Sequence, residues 1–359
     1  MTSSTVLSER SRSLATAICA CLAAWVVVCA ASEWIAQEVE LRLDAHLWRY
    51  EEWMQLTSGT RYPAGAHDRI LVIGPSEARE AFWPQPFRHK LDGARLVNDS
   101  LSLSTFEDAI TQLEYIEKVF GTDTLGGLLI VAVTPRFLQN YAPGDRPLPI
   151  VVNRYSPYFS IDESVEPQRL VEKGFVEGLI ARVHLAGHSG ARYMKAVWAV
   201  ALAAEARVRG KDFEESLRSH FLVGARFYDQ GPRDKARYYE LARQGGGFNQ
   251  VLRSMNPLDQ RAAILRDFDR LRAIAARNGA QILIVNLPEG GWSRQHFYDP
   301  GIHEAYMSVL REGVRDLPFL DLRDALNDDD FVDWVHPTMA ASLMISNRVA
   351  SAIRDMELQ

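Results

Sequence analysis

Two short segments of the chain carry side chains able to act together on an acyl group. Ser76 follows an apolar run that ends in Gly74-Pro75, and a serine set directly after a strand projects its hydroxyl and its own backbone N–H beyond the strand end. That hydroxyl is a weak nucleophile at neutral pH and requires a base. The segment Asp333-Trp334-Val335-His336 supplies one, 260 positions further on. A carboxylate three residues before a histidine reaches the imidazole Nδ1–H within one turn, fixes the tautomer and leaves Nε2 to accept a proton. The chemistry these groups fit is acyl transfer through a serine ester. Each segment also has a plainer reading. Ser76 followed by Glu77 and Glu80 suits a helix N-cap, and Asp333 with His336 suits a helix cap beside a surface histidine.

Other residues offer less. Arg79 and Arg136 lie near two strand ends, where a guanidinium would hold an anionic or carbonyl group, and where a surface ion pair is the alternative. Trp292, Phe297 and Tyr298 would form an aromatic wall for a sugar ring, or simply pack. His184 and His188 are four apart in HLAGH, a spacing at which two imidazoles can share a metal. No glutamate stands beside the first and no third ligand is evident, so a surface face fits better and neither a metal nor a cofactor is expected. Gly245-Gly246-Gly247 has no Lys-Ser/Thr after it and reads as a loop, not a phosphate cradle.

The elements that must position these groups alternate. Apolar, β-branched runs at Arg69–Gly74, Ala94–Asn98, Gly127–Val133, Gln281–Asn286 and Pro318–Asp321 read as buried parallel strands. Helical periodicity covers Thr105–Phe120, Asp259–Asn278, Ile302–Val314 and Thr338–Met356, with Ser104 or Thr105 as a cap. Alternating strands and helices predict an α/β fold, a three-layer α/β/α with a parallel five-stranded sheet. Residues 140–256 open on a Pro-rich loop and continue as Ala- and Arg-rich sequence with no convincing strand; they read as a mainly helical insertion.

The amino terminus differs from this body. Leu14–Ala31 is 18 residues without a charge, close to the roughly 20 that cross a bilayer core. Arg10 and Arg12 precede it, and Glu33, Glu38 and Glu40 follow. This bias places a short tail in the cytoplasm and the rest in the periplasm or outside the cell. The expected layout is a tail, a transmembrane helix at about 13–32 and a juxtamembrane helix within 1–60, a turn-rich break at Ser58–Gly65, then a catalytic domain over 61–359. A cleaved signal peptide and a buried soluble helix are the alternatives. All 3 cysteines, Cys19, Cys21 and Cys29, fall in this apolar stretch, which excludes thiol chemistry from the body and suits an oxidising compartment. The formal net charge is −6, so no global basic field exists to hold a nucleic acid.

Taken together, ILVIGPSEARE around Ser76 and DFVDWVHPTMAAS around Asp333 and His336 resemble the SGNH (GDSL-type) hydrolase family. The likeness is strongest to the membrane-anchored members of bacterial envelopes, of the DltD type and the polysaccharide O-acetylation factors. The resemblance covers about residues 68–135 and 278–356 and implies a flavodoxin-like α/β/α fold. It implies Ser76 as nucleophile, His336 as base and Asp333 as its orienting acid. The family's second block matches LVNDSLSLSTFED, with Asn98 present and Ser100 or Ser102 where a glycine is usual, so Ser76, Ser100 and Ser102 are the expected oxyanion donors. Asn98, Arg79, Arg136 and Trp292 are the expected substrate contacts. The third block's asparagine is absent from VAVTPRF, which argues against efficient simple hydrolysis. The resemblance further implies a glycan or polymer acceptor and a membrane-bound O-acyltransferase as partner. A catalytically silent scaffold or glycan-binding partner is the second reading, and a conventional esterase or lipase the third.

Overall fold

Five parallel strands form the centre of the fold: β1 (Arg69–Ile73), β2 (Arg95–Asn98), β3 (Leu128–Val133), and, after a two-stranded hairpin, β6 (Gln281–Asn286) and β7 (Phe319–Asp321). Their order across the sheet is β2-β1-β3-β6-β7, every neighbouring pair parallel. This order is the flavodoxin-like doubly wound one. The computed structural model describes residues 14–28, 30–31, 69–92, 94–101, 104–139, 159–162, 164–165, 169–180, 197–198, 201, 204–211, 256–296, 298, 301–333 and 335–357.

Side chains alternate across the sheet with the strand period of two. Leu71, Ile73, Leu129, Val131, Val133 and Ile284 face one side. There they pack against α3 (Phe106–Phe120), α5 (Arg261–Arg277) and α7 (Ile302–Gly313) through Phe106, Phe268 and Leu310. Ile70, Val72, Ile130, Ala132, Leu283 and Val285 face the other. They meet α1 (Ser76–Ala81), α2 (Pro84–Lys90) and α8 (Met339–Glu357) through Ala78, Phe87, Ile345 and Val349. The helix carrying Ser76 and the helix following His336 therefore lie on the same face, which the alternation alone does not reveal. Helix α3 begins at Thr105, whose hydroxyl accepts from Asp108 N while the Asp108 carboxylate accepts from Thr105 N, a reciprocal capping box.

The region expected to hold no strand contains a hairpin, β4 (Phe159–Asp162) paired antiparallel with β5 (Arg169–Glu172). Four-residue strands are too short for an alternating signal to stand out. They are held by one apolar face, with Phe159 edge-on to Tyr115 of α3 at 6.0 Å and Leu170 packed on the same core. Helices α1 and α2 are short and were likewise not separable from the connecting loop by periodicity.

The chain divides into two compact units, Met1–Trp48 with Gly174–Phe221, and Arg49–Lys173 with Leu222–Gln359. The sheet belongs to the second. In the first, residues 14–28, 30–31, 175–180, 197–198, 201 and 204–208 are helical, and Leu14, Ile18, Leu22, Trp25 and Val26 are exposed. Among the described residues no helix is long and apolar enough to cross a membrane. The flanking charges at Arg10, Arg12, Glu33, Glu38 and Glu40 lie outside the described residues, as do the Ser58–Gly65 break, Ser102, His184, His188, Gly245–Gly247 and Phe297.

Gly74 closes β1 where the backbone of β3 passes against it. A Cβ there would sit 2.7 Å from the Ala78 Cβ and 2.8 Å from the Ala132 carbonyl oxygen, closer than atoms pack without strain. Gly74→Ala is expected to lower the unfolding free energy by about 1–3 kcal/mol. The readout is a lower urea midpoint at an unchanged slope; a midpoint equal to that of the wild type would show that the turn yields freely.

Candidate active site

Strand β1 ends at the point where the sheet order reverses, because its two neighbours, β2 and β3, are reached by connections running in opposite directions. Crevices beyond the carboxyl ends of such strands are where α/β folds place ligands. Ser76 is the first residue of α1, immediately after β1, and Arg136 lies in α4 (Pro135–Leu138), immediately after β3.

The six residues of α1 are too few to be stable as an isolated helix, and of its last carbonyls that of Ala78 accepts from Phe82 N at 3.2 Å while those after it lie beyond the last helical N–H. Side chains from elsewhere satisfy them. Asn98, at the end of β2, donates its amide to the carbonyls of Ala78 (3.1 Å), Arg79 (3.2 Å) and Phe82 (3.3 Å). The Ser346 hydroxyl of α8 donates to Ala81 O at 2.8 Å and accepts from Trp83 N at 2.8 Å. The Trp83 indole donates to Glu80 O at 3.1 Å.

The acid and base stand on one closed loop. Phe331 and Pro337 form an antiparallel bridge, Val332 N donates to His336 O at 2.9 Å and Thr338 N to Asp330 O at 2.7 Å. Inside this loop Asp333 Oδ1 accepts from Val335 N (2.9 Å) and His336 N (2.7 Å), and Oδ2 lies 2.7 Å from His336 Nδ1. His336 Nε2 lies 3.0 Å from Ser76 Oγ. The chain thus brings Ser76, His336 and Asp333 into one hydrogen-bonded line, in the order expected of a nucleophile, its base and an orienting acid. Asp333 is buried and His336 is 19% exposed.

The charges follow from this geometry. Burial works against ionised Asp333, but the imidazole beside it and the two backbone N–H groups outweigh that cost and hold its carboxyl below the usual range. For His336, burial opposes the imidazolium, while Asp333, Glu77 and Glu80 favour it more strongly, so the imidazole titrates above its ordinary value.

Several expected contacts have other partners. Arg136 is 15% exposed and donates through Nη2 to Glu77 Oε1 at 2.5 Å, forming a buried ion pair across the switch point. Arg79 pairs with Glu80 at 3.1 Å. Asn98 clamps α1 through its amide, and its Oδ1 accepts from Ser100 N at 3.2 Å. That bond occupies one of the N–H groups expected to receive an oxyanion, while Ser100 Oγ is buried without a partner among the described residues. The N–H of Ser76, on the first residue of α1, has no intrahelical acceptor and remains the available donor. Trp292 is half-buried against Tyr298 and Ile302. Tyr298 is buried, with its hydroxyl donating to Glu289 at 2.7 Å. A cavity of about 440 Å³ lined by Arg294, Gln295, Tyr298, Gly301, His303, Glu304 and Arg323 contains none of the triad. Among the described residues no cluster of three or more side chains could hold a metal ion.

The sequence marks Glu77 only as a first-turn acid. Its carboxylate accepts from the Ser76 hydroxyl at 3.0 Å as well as from Arg136. Burial works against its ionisation, but Arg136 and His336 outweigh this, with smaller help from the Glu77 backbone N–H and Ser76, and its carboxyl titrates below the usual range. A signal for this pairing lay in the sequence: an acid directly after the nucleophile and an arginine directly after the neighbouring strand.

Arg136→Met removes one half of that buried pair and is expected to cost about 3–5 kcal/mol near neutral pH. Because the folded-state affinity of Glu77 for a proton is depressed, the stabilisation is present above the unfolded carboxyl range and is lost as pH falls through the folded one. The gap between variant and wild type should therefore hold near neutral pH and narrow as pH falls through and below the ordinary carboxyl range, about 4.5, in denaturant unfolding; a gap independent of pH would count against an ionised Glu77.

No family model and no curated protein matches the sequence. Among solved structures, the chain is similar to a candidate acylhydrolase from Bacteroides fragilis at 12% identity, covering 87% of this chain and 96% of that one, with a TM-score of 0.37. It is also similar to a GDSL-like lipase from Bacteroides thetaiotaomicron at 9% identity, covering 84% and 99%, with a TM-score of 0.34.

Proposed function

We propose that the chain is an SGNH-type serine acyltransferase or esterase, tethered to the cytoplasmic membrane by its amino terminus and acting on an envelope glycan or related polymer outside the cytoplasm. The observation that carries the acyl-transfer reading is the line Ser76–His336–Asp333, at 3.0 and 2.7 Å, assembled at the carboxyl end of the first strand from segments 260 residues apart. Ser76 Oγ attacks the acyl carbon as His336 Nε2 takes its proton, and the carbonyl electron pair moves to oxygen, where the Ser76 N–H meets it. The tetrahedral species collapses, the bond to the leaving oxygen breaks, and His336 returns the proton to that oxygen. An acceptor hydroxyl then attacks the Ser76 ester by the same steps in reverse. Asp333 stabilises the imidazolium throughout.

Tethering is supported by the uncharged stretch 14–31 and its positive-inside flanks. A tether favours transfer to a polymer near the membrane, with the acyl group delivered by a membrane-bound O-acyltransferase. A second reading, a silent scaffold or glycan-binding partner, draws support from the occupied Ser100 N–H. Loss of one oxyanion donor typically costs about 2.7–4 kcal/mol of transition-state stabilisation.

A fluorophosphonate probe separates these readings: Ser76 Oγ bonds to phosphorus, fluoride leaves, and the serine proton passes to the base. Wild type is expected to label, Ser76→Ala not at all, and Asp333→Asn about 10⁴-fold more slowly. Labelling that survives unchanged in Ser76→Ala removes the nucleophile. Deletion of residues 1–57 is expected to release a soluble, folded body that still labels; aggregation of that body would count against the tether.

A further inference from the structure

The Ser76 hydroxyl has one proton and two neighbours that can accept it, His336 Nε2 at 3.0 Å and Glu77 Oε2 at 3.0 Å. If His336 is neutral, the serine proton satisfies only one of the two: given to Nε2 it leaves the Glu77 carboxylate facing the oxygen lone pairs, and given to Glu77 it leaves the Nε2 lone pair facing them. If Glu77 carries the proton the clash disappears, but Arg136 opposes that state from 2.5 Å away. One arrangement satisfies every group with Glu77 ionised: Nε2–H of an imidazolium donates to Ser76 Oγ, and Oγ–H donates to Glu77.

We infer that Glu77, clamped by Arg136, is a competing acceptor for the Ser76 proton that holds the serine in a non-nucleophilic form until His336 gives up its Nε2 proton. The consequence for catalysis rests on Ser76 acting as the nucleophile. Among the described residues the charges around the imidazole are Asp333 on its own loop, Glu77 and Glu80 on α1, and two guanidinium groups paired with the latter carboxylates, Arg136 of α4 with Glu77 and Arg79 of α1 with Glu80. The three carboxylates outweigh these cations and favour the imidazolium, in accord with its raised titration. The chain Asp333, His336, Ser76, Glu77, Arg136 is then an unbroken run of hydrogen bonds in which the resting serine is a donor to a carboxylate. On loss of the imidazolium proton the hydroxyl must turn from Glu77 to Nε2, and only that rotamer can pass its proton to the base as the ester forms. Glu77 thus shifts the working range toward alkaline pH without taking part in bond making.

Two readouts on the full-length protein test this separately. The first is the His336 imidazole titration by NMR with labelled histidine, its signal assigned by the His336→Gln variant. The second is the pH profile of fluorophosphonate labelling. In wild type the His336 midpoint should lie above that of an ordinary imidazole and coincide with the rising limb of labelling. In Glu77→Gln both midpoints should move toward acid by about one pH unit, a tenfold fall in proton affinity. The double variant Glu77→Leu with Arg136→Leu, which leaves no buried charge unpaired, should move them likewise. Glu80→Gln, whose carboxylate pairs with Arg79 and not with the serine, should move them less. A wild-type midpoint at or below the ordinary imidazole value overturns the inference, as does an unchanged midpoint without Glu77 or an equal shift from Glu80→Gln. Labelling abolished at every pH in Glu77→Gln also overturns it, since Glu77 would then be a required base. Wild type that never labels, while its His336 midpoint is raised and falls in Glu77→Gln, removes the nucleophile and leaves the hydrogen bond standing.

Discussion

The site depends on six residues being held helical by groups that are not their own. Helix α1 cannot persist by propensity at that length, yet it must point Ser76 at an imidazole on a distant loop. The Asn98 amide and the Ser346 hydroxyl supply the missing partners for its terminal carbonyls. Ser346 matters doubly, because it both donates to Ala81 O and accepts from Trp83 N, so that α8 is fastened to the exit of α1 through one buried oxygen. Since α8 begins just after His336, the fastening that shapes the nucleophile's helix also sets its distance from the base.

Around that fastening the charges are arranged in opposing pairs. The buried Glu77–Arg136 contact spans the ends of two neighbouring strands, and the Asp333–His336 contact closes within one loop. A buried carboxylate is tolerable only with a cation or several donors around it, and each of these has both. Ser76 sits between the two pairs and touches one member of each. Its hydroxyl is therefore the junction through which the protonation of one pair is felt by the other.

Much of the fold was legible because buried parallel strands are written as uninterrupted apolar runs. All five strands of the sheet and the four long helices lie within a residue or two of where pattern places them. Short elements were not legible: the hairpin at Phe159–Glu172 and helices α1 and α2 have too few residues for a period to emerge. Of the site, Ser76, Asp333 and His336 were readable because their order and local spacing fit one chemistry. The partners of Asn98, Arg79 and Arg136 were not, because a polar residue at a strand end can face substrate or backbone equally well. For Asn98 the outcome was set by carbonyls left unpaired at the end of a helix too short to be seen. Glu77 is obscured for a related reason: an acid in a first helical turn is so well explained as a capping charge that its position points to no further partner.

The bridge between Phe331 and Pro337 turns the acid and base into a preassembled cartridge. Relative motion between segments 260 residues apart in sequence cannot loosen the carboxylate from the imidazole, because both ride on the same few bonds. Along the line from Asp333 to Ser76, the length it changes is that from Nε2 to the serine oxygen. Breathing of the fold, or the arrival of an acceptor, therefore acts on this site through a single mechanical coordinate.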